Sequence, residues 1–222
     1  MSRQKFLPNY HKLLCIGTTS SGKTTLVREN ILRHVSRKLM LDSNYELGDQ
    51  LGVRTAYHLC DWDFSTPCYV PQEYTTKHLD DIIRHVRKQQ NLKFFIDDLD
   101  LYTGGQYYAG VELPKLYNNG RHQNIGMIVN NKTIVSIQKT FMSSSTHVAM
   151  FAQSSKNIDI IDEWNGSLNF PNETRGNMGG FRKLVMQPPY QYAWFEPYYP
   201  GIDAVDPKKF VGFFKTRSKK MP

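Results

Sequence analysis

The sequence lacks the long apolar segments of a membrane protein. No apolar run approaches the ~20 residues of a membrane-spanning helix, and the start of the chain, Met-Ser-Arg-Gln-Lys, has no apolar stretch long enough for a signal peptide. Internal repeats and the Pro/Ser-rich stretches typical of disordered chains are also absent. For a chain of 222 residues, we therefore expect one folded domain with a buried core and no membrane span.

Cysteine is scarce, and its pattern does not predict a disulfide framework. The three cysteines, Cys15, Cys60 and Cys68, are an odd number without framework spacing. We therefore expect free thiols and a reducing compartment. His58 lies near two of them, but no second ligand pair at structural-zinc spacing accompanies this group, so the pattern does not favour a zinc site.

Acidic residues are fewer than basic ones, with 20 Asp and Glu against 28 Lys and Arg and a formal net charge of +8. The basic residues are concentrated in segments 28–38, 84–93 and 208–220. Such an excess favours a polyanionic partner. Each cluster taken alone is also typical of a solvated helix face.

A glycine- and hydroxyl-rich segment near the start of the chain carries the clearest signal. Residues 17–24 match the Walker A pattern G-x-x-x-x-G-K-[ST] at every fixed position, between an apolar run and a helical pattern. In this motif, backbone N–H groups and the N-terminus of the following helix bind phosphate. The predicted nucleotide-binding residues are Gly17, Thr18, Thr19, Ser20, Ser21, Gly22, Lys23, Thr24 and Thr25.

A second motif completes a predicted site for ATP and Mg²⁺. Lys23 is expected to reach the β- and γ-phosphates, and Thr24 to ligate Mg²⁺. The segment Phe-Phe-Ile-Asp-Asp at 94–98 fits a Walker B element, an apolar strand that carries an acid to its carboxyl end. We expect Asp97 to support Mg²⁺ and its waters, and Asp98 to orient or deprotonate the attacking water.

Alternating apolar and amphipathic segments predict an α/β fold, with a mostly parallel central sheet flanked by helices. Predicted strands cover residues 13–17, 38–42, 94–96, 125–129 and 147–152, with a short strand within 55–60. Predicted helices cover 22–37, 76–90 with Thr76 as N-cap, 111–119 and 137–145. Segments 184–186 and 192–195 predict an antiparallel hairpin, hence a small C-terminal β extension. We expect a single domain with its core at about residues 11–155, the extension at about 156–205 and a basic tail at about 206–222.

The distance between the two motifs bears on the type of P-loop protein. About seventy residues separate Lys23 from Asp97, which leaves room for a further strand and helix. This spacing favours an additional-strand ATPase, in which a strand lies between the two motif strands, over a nucleotide kinase in which they are neighbours. The strand predicted at 38–42 ends near Asp42, Asn44 and Glu46, at the edge where ligands bind in such sheets.

Further polar residues flank the strand predicted at 125–129. Arg121 precedes it and is a candidate arginine finger for the active site of a neighbouring subunit, with a surface arginine as the alternative. Asn130 and Asn131 follow it and are candidates for sensing the γ-phosphate or holding the water, with a turn-forming Asn-Asn pair as the alternative.

The order of these motifs resembles the FtsK–HerA superfamily. Walker A, an Asp-Asp Walker B and Gly-Arg-His-Gln-Asn-Ile at 120–125 before a polar-tipped strand are most similar to the compact genome-packaging ATPases of double-stranded DNA viruses. The resemblance covers about residues 13–152 and includes both the vaccinia-type and the tailless-phage-type motors. It implies a P-loop ATPase of the additional-strand, RecA-like type that translocates double-stranded DNA. Arg121 matches the family's trans-acting arginine.

The resemblance also implies partners and a location. It implies a homo-oligomeric ring, pentameric or hexameric, that contacts portal or vertex proteins of a capsid in the host cytoplasm and at the virion vertex. The loop at 103–108 and the basic tail are candidate DNA contacts, from their position.

Two departures from the family leave roles open. The family commonly has glutamine at the strand tip occupied here by Asn130 or Asn131, and Gln138 lies in the next segment, so any of the three is a candidate sensor. Asp98 stands where many relatives have the longer glutamate. A P-loop small-molecule or nucleoside kinase, with a lid around Arg175 and Arg182, and a non-translocating assembly ATPase are the alternative functions.

Overall fold

A single β-sheet forms the centre of the protein in the computed structural model, which describes residues 11–103, 110–133, 141, 144–151 and 192–195. The strands in this part of the chain are β1 (Lys12–Ile16), β2 (Lys38–Leu41), β3 (Thr55–Ala56), β4 (Cys68–Tyr69), β5 (Leu92–Ile96), β6 (Ile125–Asn131), β7 (His147–Phe151) and β8 (Tyr192–Phe195). The α-helices are α1 (Lys23–Asn30), α2 (Leu47–Leu51), α3 (Thr76–Arg87), α4 (Asp100–Thr103) and α5 (Glu112–Asn119).

The order of the strands is β3-β4-β2-β5-β6-β1-β7-β8. Strands β1 to β7 pair in parallel, and β8 runs antiparallel to β7. The α/β fold with a mostly parallel sheet is therefore confirmed. Strand β6 lies between β1 and β5, as in an additional-strand ATPase. This interposed strand follows the Walker B segment in the chain, whereas the spacer between the motifs supplies β2, β3 and β4 beyond β5.

Both faces of the sheet are covered, which explains why its central strands are continuously apolar. Alternate residues of β1 face opposite layers. Leu14 packs into the layer that contains α3 and α5, and Leu13 into the layer with Val27 of α1. Every residue of β1, β5 and β6 is buried, so these strands form a rigid platform for whatever follows their ends.

Helix α3 confirms the predicted amphipathic pattern but corrects its N-cap. Its buried residues, Leu79, Ile82, Ile83 and Val86, recur with helical spacing. The predicted cap was Thr76, whereas the Thr75 Oγ1 accepts the hydrogen bond from His78 N at 3.1 Å. Thr75 has the extended backbone of a cap residue. Thr76 is the first helical residue, and its hydroxyl donates to the Tyr102 carbonyl instead.

Two other predicted elements are shorter in the structure. The helix expected at 22–37 ends at Asn30 because Ile31 leaves the helical region, with φ −129° and ψ −62°, and a 3-10 turn at Leu32–His34 buries Leu32. The strand expected within 55–60 is only Thr55–Ala56. The two-residue strand β4 was not predicted, because so short a segment shows no periodicity.

Some predictions lie outside the described residues. The strand at 184–186 and nearly all of the helix at 137–145 fall there, whereas segment 192–195 is strand β8. In the described part of the chain, no helix is both long and apolar enough to cross a membrane.

The pairing register determines what meets at the carboxyl edge of the sheet. Ile16, the last residue of β1, is level with Asn131 of β6, and Ile96, the last residue of β5, is level with Val129. The Walker A loop, the Walker B acids and the asparagines of β6 therefore share one edge.

Candidate functional site

The Walker A loop connects β1 to α1 through unusual backbone conformations. Ser20 and Gly22 have positive φ values of 62° and 102°, a geometry that turns successive N–H groups towards a concave centre. The first residue of the loop is held against the end of β6, because Gly17 N donates to the Asn131 carbonyl at 3.1 Å. A Cβ at Gly17 would lie 2.5 Å from Phe151 Cβ, so the first glycine of the motif is required for packing.

The loop has the donors that a phosphate chain needs. The first N–H groups of a helix have no hydrogen-bond partner within the helix. At the start of α1, Leu26 N donates to the Gly22 carbonyl at 2.9 Å, so the N–H groups that precede Leu26 in the helix point towards the loop. The Ser21 hydroxyl is buried and has no hydrogen-bond partner in the described part of the protein. These groups fit the phosphates of a nucleotide.

The Walker A lysine lies over its own loop. Lys23 Nζ donates to the carbonyls of Gly17 at 2.7 Å and Thr18 at 3.0 Å. Burial lowers the pKa of Lys23, and the negative charges of Asp98 and Asp97 oppose that effect. The two carbonyls use two of the three N–H donors of the ammonium, so one donor is left for a bound phosphate.

The two predicted metal ligands lie together. Thr24 Oγ1 donates to Asp97 Oδ1 at 3.0 Å, across the gap between α1 and the end of β5. Burial, followed by repulsion from Asp98, raises the pKa of Asp97. A bound cation would reverse this effect. A hydroxyl and a carboxylate oxygen beside a phosphate loop are the donor set that Mg²⁺ takes together with substrate phosphates and water.

Asn130 joins the same cluster from β6. Its Nδ2 donates to Asp97 Oδ1 at 2.9 Å and to Thr24 Oγ1 at 3.2 Å. Its Oδ1 is buried and accepts no hydrogen bond from the described residues. Asn131, the next residue, directs its amide to the Thr133 carbonyl. Of the three candidate sensors, Asn130 contacts the two predicted metal ligands, and Gln138 lies outside the described residues.

Asp98 has a strained backbone and a defined orientation. Its φ is 54°, in the left-handed region that aspartate tolerates better than most residues. Its Oδ2 is 3.5 Å from Lys132 Nζ and accepts a hydrogen bond from Asn44 Nδ2 at 3.4 Å. Lys132 could not be identified from the sequence, because its position depends on how far β6 extends.

The segment after β2 is tied to the Walker B acids. Asn44 Nδ2 also donates to Asp97 Oδ2 at 2.8 Å, and Ser43 Oγ donates to the Asp97 carbonyl at 2.7 Å. Asp42 fixes the turn into α2, since its Oδ2 accepts from Leu47 N at 2.7 Å. Of the polar residues expected at this edge, Asn44 is the one that touches both acids.

Arg121 lies at the opposite edge of the sheet. It is an exposed residue of the 3-10 turn Gly120–Gln123 that precedes β6. Arg121 acts electrostatically on Lys12, the first residue of β1: burial is the larger cause of the lowered pKa of Lys12, and the charge of Arg121 adds to it. The seven residues of β6 span about 20 Å at strand spacing. Arg121 therefore does not reach the phosphate loop of its own chain, and its role as a finger in a neighbouring site stays a prediction.

Solved structures with the same architecture come from viral packaging proteins. The genome packaging NTPase B204 from Sulfolobus turreted icosahedral virus 2, in complex with sulfate, matches with a TM-score of 0.66 and 14% sequence identity, covering 86% of this chain and 93% of that chain. Its complex with ATP-gammaS matches with a TM-score of 0.64 and 15% identity, covering 86% and 94%. B204, the DNA-packaging ATPase from Sulfolobus turreted icosahedral virus, matches with a TM-score of 0.59 and 13% identity, covering 85% and 94%.

The chain shares the fold of the genome packaging NTPase B204. The expected resemblance to the packaging ATPases is thus confirmed at the level of the fold, over most of both chains. No protein-family profile matches the sequence, and no curated protein matches it.

Proposed function

We propose that this protein hydrolyses ATP at the carboxyl edge of its sheet and uses the reaction to translocate double-stranded DNA into a viral capsid. The observation that carries the proposal is the convergence of Lys23, Thr24, Asp97, Asp98 and Asn130 around one phosphate-binding loop. These are the groups that hydrolysis of a nucleoside triphosphate needs, from phosphate donors to an acid beside the attacking water.

Each residue has a defined task in this reaction. The loop N–H groups and Lys23 bind the β- and γ-phosphates, which disperses the charge that develops during transfer. Thr24 and Asp97 would hold Mg²⁺, and the ion would neutralise charge on the phosphate oxygens when bound. Asn130 keeps these two ligands in place. Asp98 orients the water and accepts its proton.

Three observations support coupling to DNA. The chain has a formal net charge of +8, which favours sequence-independent contacts to phosphate. Its fold is shared with B204, which is described as a DNA-packaging ATPase. Arg121 is exposed and lies far from its own phosphate loop, as a residue that acts in the next subunit of a ring would. Portal or vertex proteins, the host cytoplasm and the virion vertex belong to the same proposal.

The kinase alternative is disfavoured by one structural feature. Strand β6 separates the two motif strands, whereas many nucleotide kinases place them side by side. The candidate lid residues Arg175 and Arg182 lie outside the described residues.

The test is ATP hydrolysis with and without double-stranded DNA, at low and moderate salt. We expect DNA to stimulate hydrolysis, the stimulation to fall with salt, and Lys23→Ala to reduce the rate by about 10²–10³-fold. Lys115→Ala is the matched control, because Lys115 is exposed and, among the described residues, its ammonium pairs with Glu112 alone. Hydrolysis that survives in Lys23→Ala would refute the site, and Lys23-dependent hydrolysis that ignores DNA at every salt concentration would refute the DNA-stimulated translocase.

A further inference from the structure

An exposed arginine at the amino edge of the sheet is held in one orientation by its neighbours. Arg37 directly precedes β2, and its guanidinium lies over the ring of Phe64, 3.7 Å from the ring centroid. Its Nε and Nη2 atoms both donate to the Gln90 carbonyl at 3.3 Å. A guanidinium has five N–H donors, and the other three have no partner in the described part of the chain. Arg37 therefore offers oriented donors and a positive charge at the surface.

Two asparagines extend this set of donors along the edge. Asn91 directly precedes β5, and Asn124 directly precedes β6. Both have left-handed backbones, with φ values of 57° and 53°, and Asn124 Nδ2 donates to Asn91 Oδ1 at 2.8 Å. The –NH₂ group of the exposed Asn91 thus remains a donor. Strands β2, β5 and β6 are neighbours and lie about 4.8 Å apart, so the amino-edge row (Arg37, Asn91 and Asn124) spans about 10 Å.

The charge along this row is positive. Lys88 is exposed and comes three residues before Asn91, directly after α3. Among the described residues, neither Arg37 nor Lys88 forms an ion pair with an acid. Both charges are therefore available to an anionic partner.

The acid next to Phe64 in the chain is occupied within its own turn. Asp63 Oδ1 accepts hydrogen bonds from Ser65 N at 2.7 Å, from Ser65 Oγ at 2.7 Å and from Thr66 N at 3.0 Å. This carboxylate therefore stabilises the turn that carries Phe64, and it forms no ion pair with Arg37.

The chemistry of the row fits a nucleic acid backbone better than a second protein. Each DNA strand carries one negative charge per about 3.4 Å of helix axis, so a row of about 10 Å faces more than one phosphate. Arginine and amide side chains are among the groups that contact phosphate oxygens. All members of the row are polar, whereas the centre of a protein interface is enriched in aromatic and apolar side chains.

We propose that the amino-edge row binds the phosphate backbone of double-stranded DNA, with Arg37 as its charged anchor. The inference rests on the proposed DNA-translocating function, and it adds a contact at the edge of the sheet opposite the ATP site. The remaining donors of Arg37 and the amide of Asn91 donate to phosphate oxygens. Contacts of this kind carry no base information, so the row binds DNA of any sequence.

The first arm of the test measures binding of fluorescently labelled double-stranded DNA of mixed sequence, without nucleotide, over a range of salt concentrations. We expect Arg37→Gln to weaken binding about 5–10-fold at low salt and to reduce the slope of log K against log[salt] by about 1. Arg37→Lys keeps the charge but not the planar fork, so the slope should be retained and the loss should be less than about threefold.

The matched control is Arg84→Gln. It removes the same charge from another exposed arginine, one that pairs with Asp81, and it should bind DNA within about twofold of the wild-type protein. The second arm measures DNA-free ATP hydrolysis, thermal unfolding and sedimentation of each variant. All three should match the wild-type protein, because Arg37 lies at the opposite edge of the sheet from the phosphate loop.

Two results would overturn the proposal. One is the same DNA affinity and salt slope for Arg37→Gln and Arg84→Gln. The other is a changed sedimentation of Arg37→Gln together with a wild-type affinity for DNA, which would assign the row to an acidic surface on a second copy of the chain. A wild-type protein that binds no DNA at low salt is a different result, and it would refute the proposed translocation of DNA itself.

Discussion

The two edges of the central sheet both contain buried ionisable groups, but the surroundings of these groups differ between the edges. At the carboxyl edge, acids, amides, a hydroxyl and Lys23 form one connected set of hydrogen bonds. At the amino edge, the groups are basic. Burial lowers the pKa of Lys93 to about 7, and burial, with the charges of His11 and Lys93, lowers the pKa of His147 to about 3.

The difference shows how burial is used at each edge. At the carboxyl edge, burial lowers the pKa of Lys23, and Asp98 and Asp97 oppose that shift, which favours a cation where phosphate is expected. At the amino edge, neighbouring basic groups reinforce the effect of burial on His11 and His147 and favour their neutral forms. We therefore expect changes at the carboxyl edge to affect catalysis, and changes at the amino edge to affect the pH dependence of stability.

Arg121 is the amino-edge residue expected to break this division. Arg121→Ala should lower kcat by about 10³-fold or more, because an arginine finger stabilises the charge of the transferring phosphate. Nucleotide binding should be nearly unchanged. Mixing Arg121→Ala with Lys23→Ala should restore activity, since each inactive protein supplies what the other lacks at a shared interface. His122→Ala, in the same exposed turn, is the control, and a wild-type rate in Arg121→Ala would contradict the finger.

Lys93→Met tests the amino edge for stability. Between about pH 7 and pH 10.5, the unfolded lysine keeps a proton that the folded one has lost, so the wild-type free energy of unfolding should rise with pH. We expect a rise on the order of 3 kcal/mol that Lys93→Met lacks. Urea unfolding at several pH values measures both proteins. Parallel curves would show that Lys93 is charged in the folded state.

Asn130→Ala tests the carboxyl edge. Because Asn130 holds both Thr24 and Asp97, its loss should weaken Mg²⁺-dependent nucleotide binding about 10–100-fold. Nucleotide binding measured without Mg²⁺ should change little, which separates the metal ligands from the phosphate loop. An equal loss with and without Mg²⁺ would assign Asn130 to the nucleotide instead.

The smallest expected effect is at His147. Folding lowers the pKa of His147 from 6.5 to about 3. Below about pH 6.5, the unfolded state therefore binds a proton at His147 that the folded state does not bind. Stability should then fall with acidification by about 1 kcal/mol per pH unit for this group. His147→Gln should show a shallower fall when unfolding is followed at pH 6.5, 5.5 and 4.5. A slope equal to that of wild type would show that His147 is protonated in the folded protein.

The parts of the site that could be predicted from the sequence are those with fixed local patterns. The Walker A residues occupy fixed positions in one short segment, and Asp97 follows a buried apolar strand. The spacing between them favoured an interposed strand, but the strand that lies there, β6, follows Walker B in the chain and does not come from the spacer. The two motif signals are local, so they can be recognised without tertiary contacts.

The remaining contacts depend on register. Whether Lys132 faces Asp98 depends on where β6 ends relative to β5, and a shift of one residue would turn its side chain to the other face. From the sequence, Asn44 was recognised only as a polar residue at the carboxyl edge of the sheet, because its contacts with both acids depend on the turn after β2. The cap of α3 differed by one residue because Thr75 and Thr76 have the same side chain.

The left-handed backbone at position 98 also limits which amino acids can occupy it. Glycine and asparagine accept this backbone but provide no carboxylate, whereas glutamate provides the acid with a poorer fit to the backbone. In a complete substitution survey, folding should tolerate several residues at this position, whereas activity should have a single maximum at aspartate. The survey would thus separate selection for shape from selection for chemistry at one position of the chain.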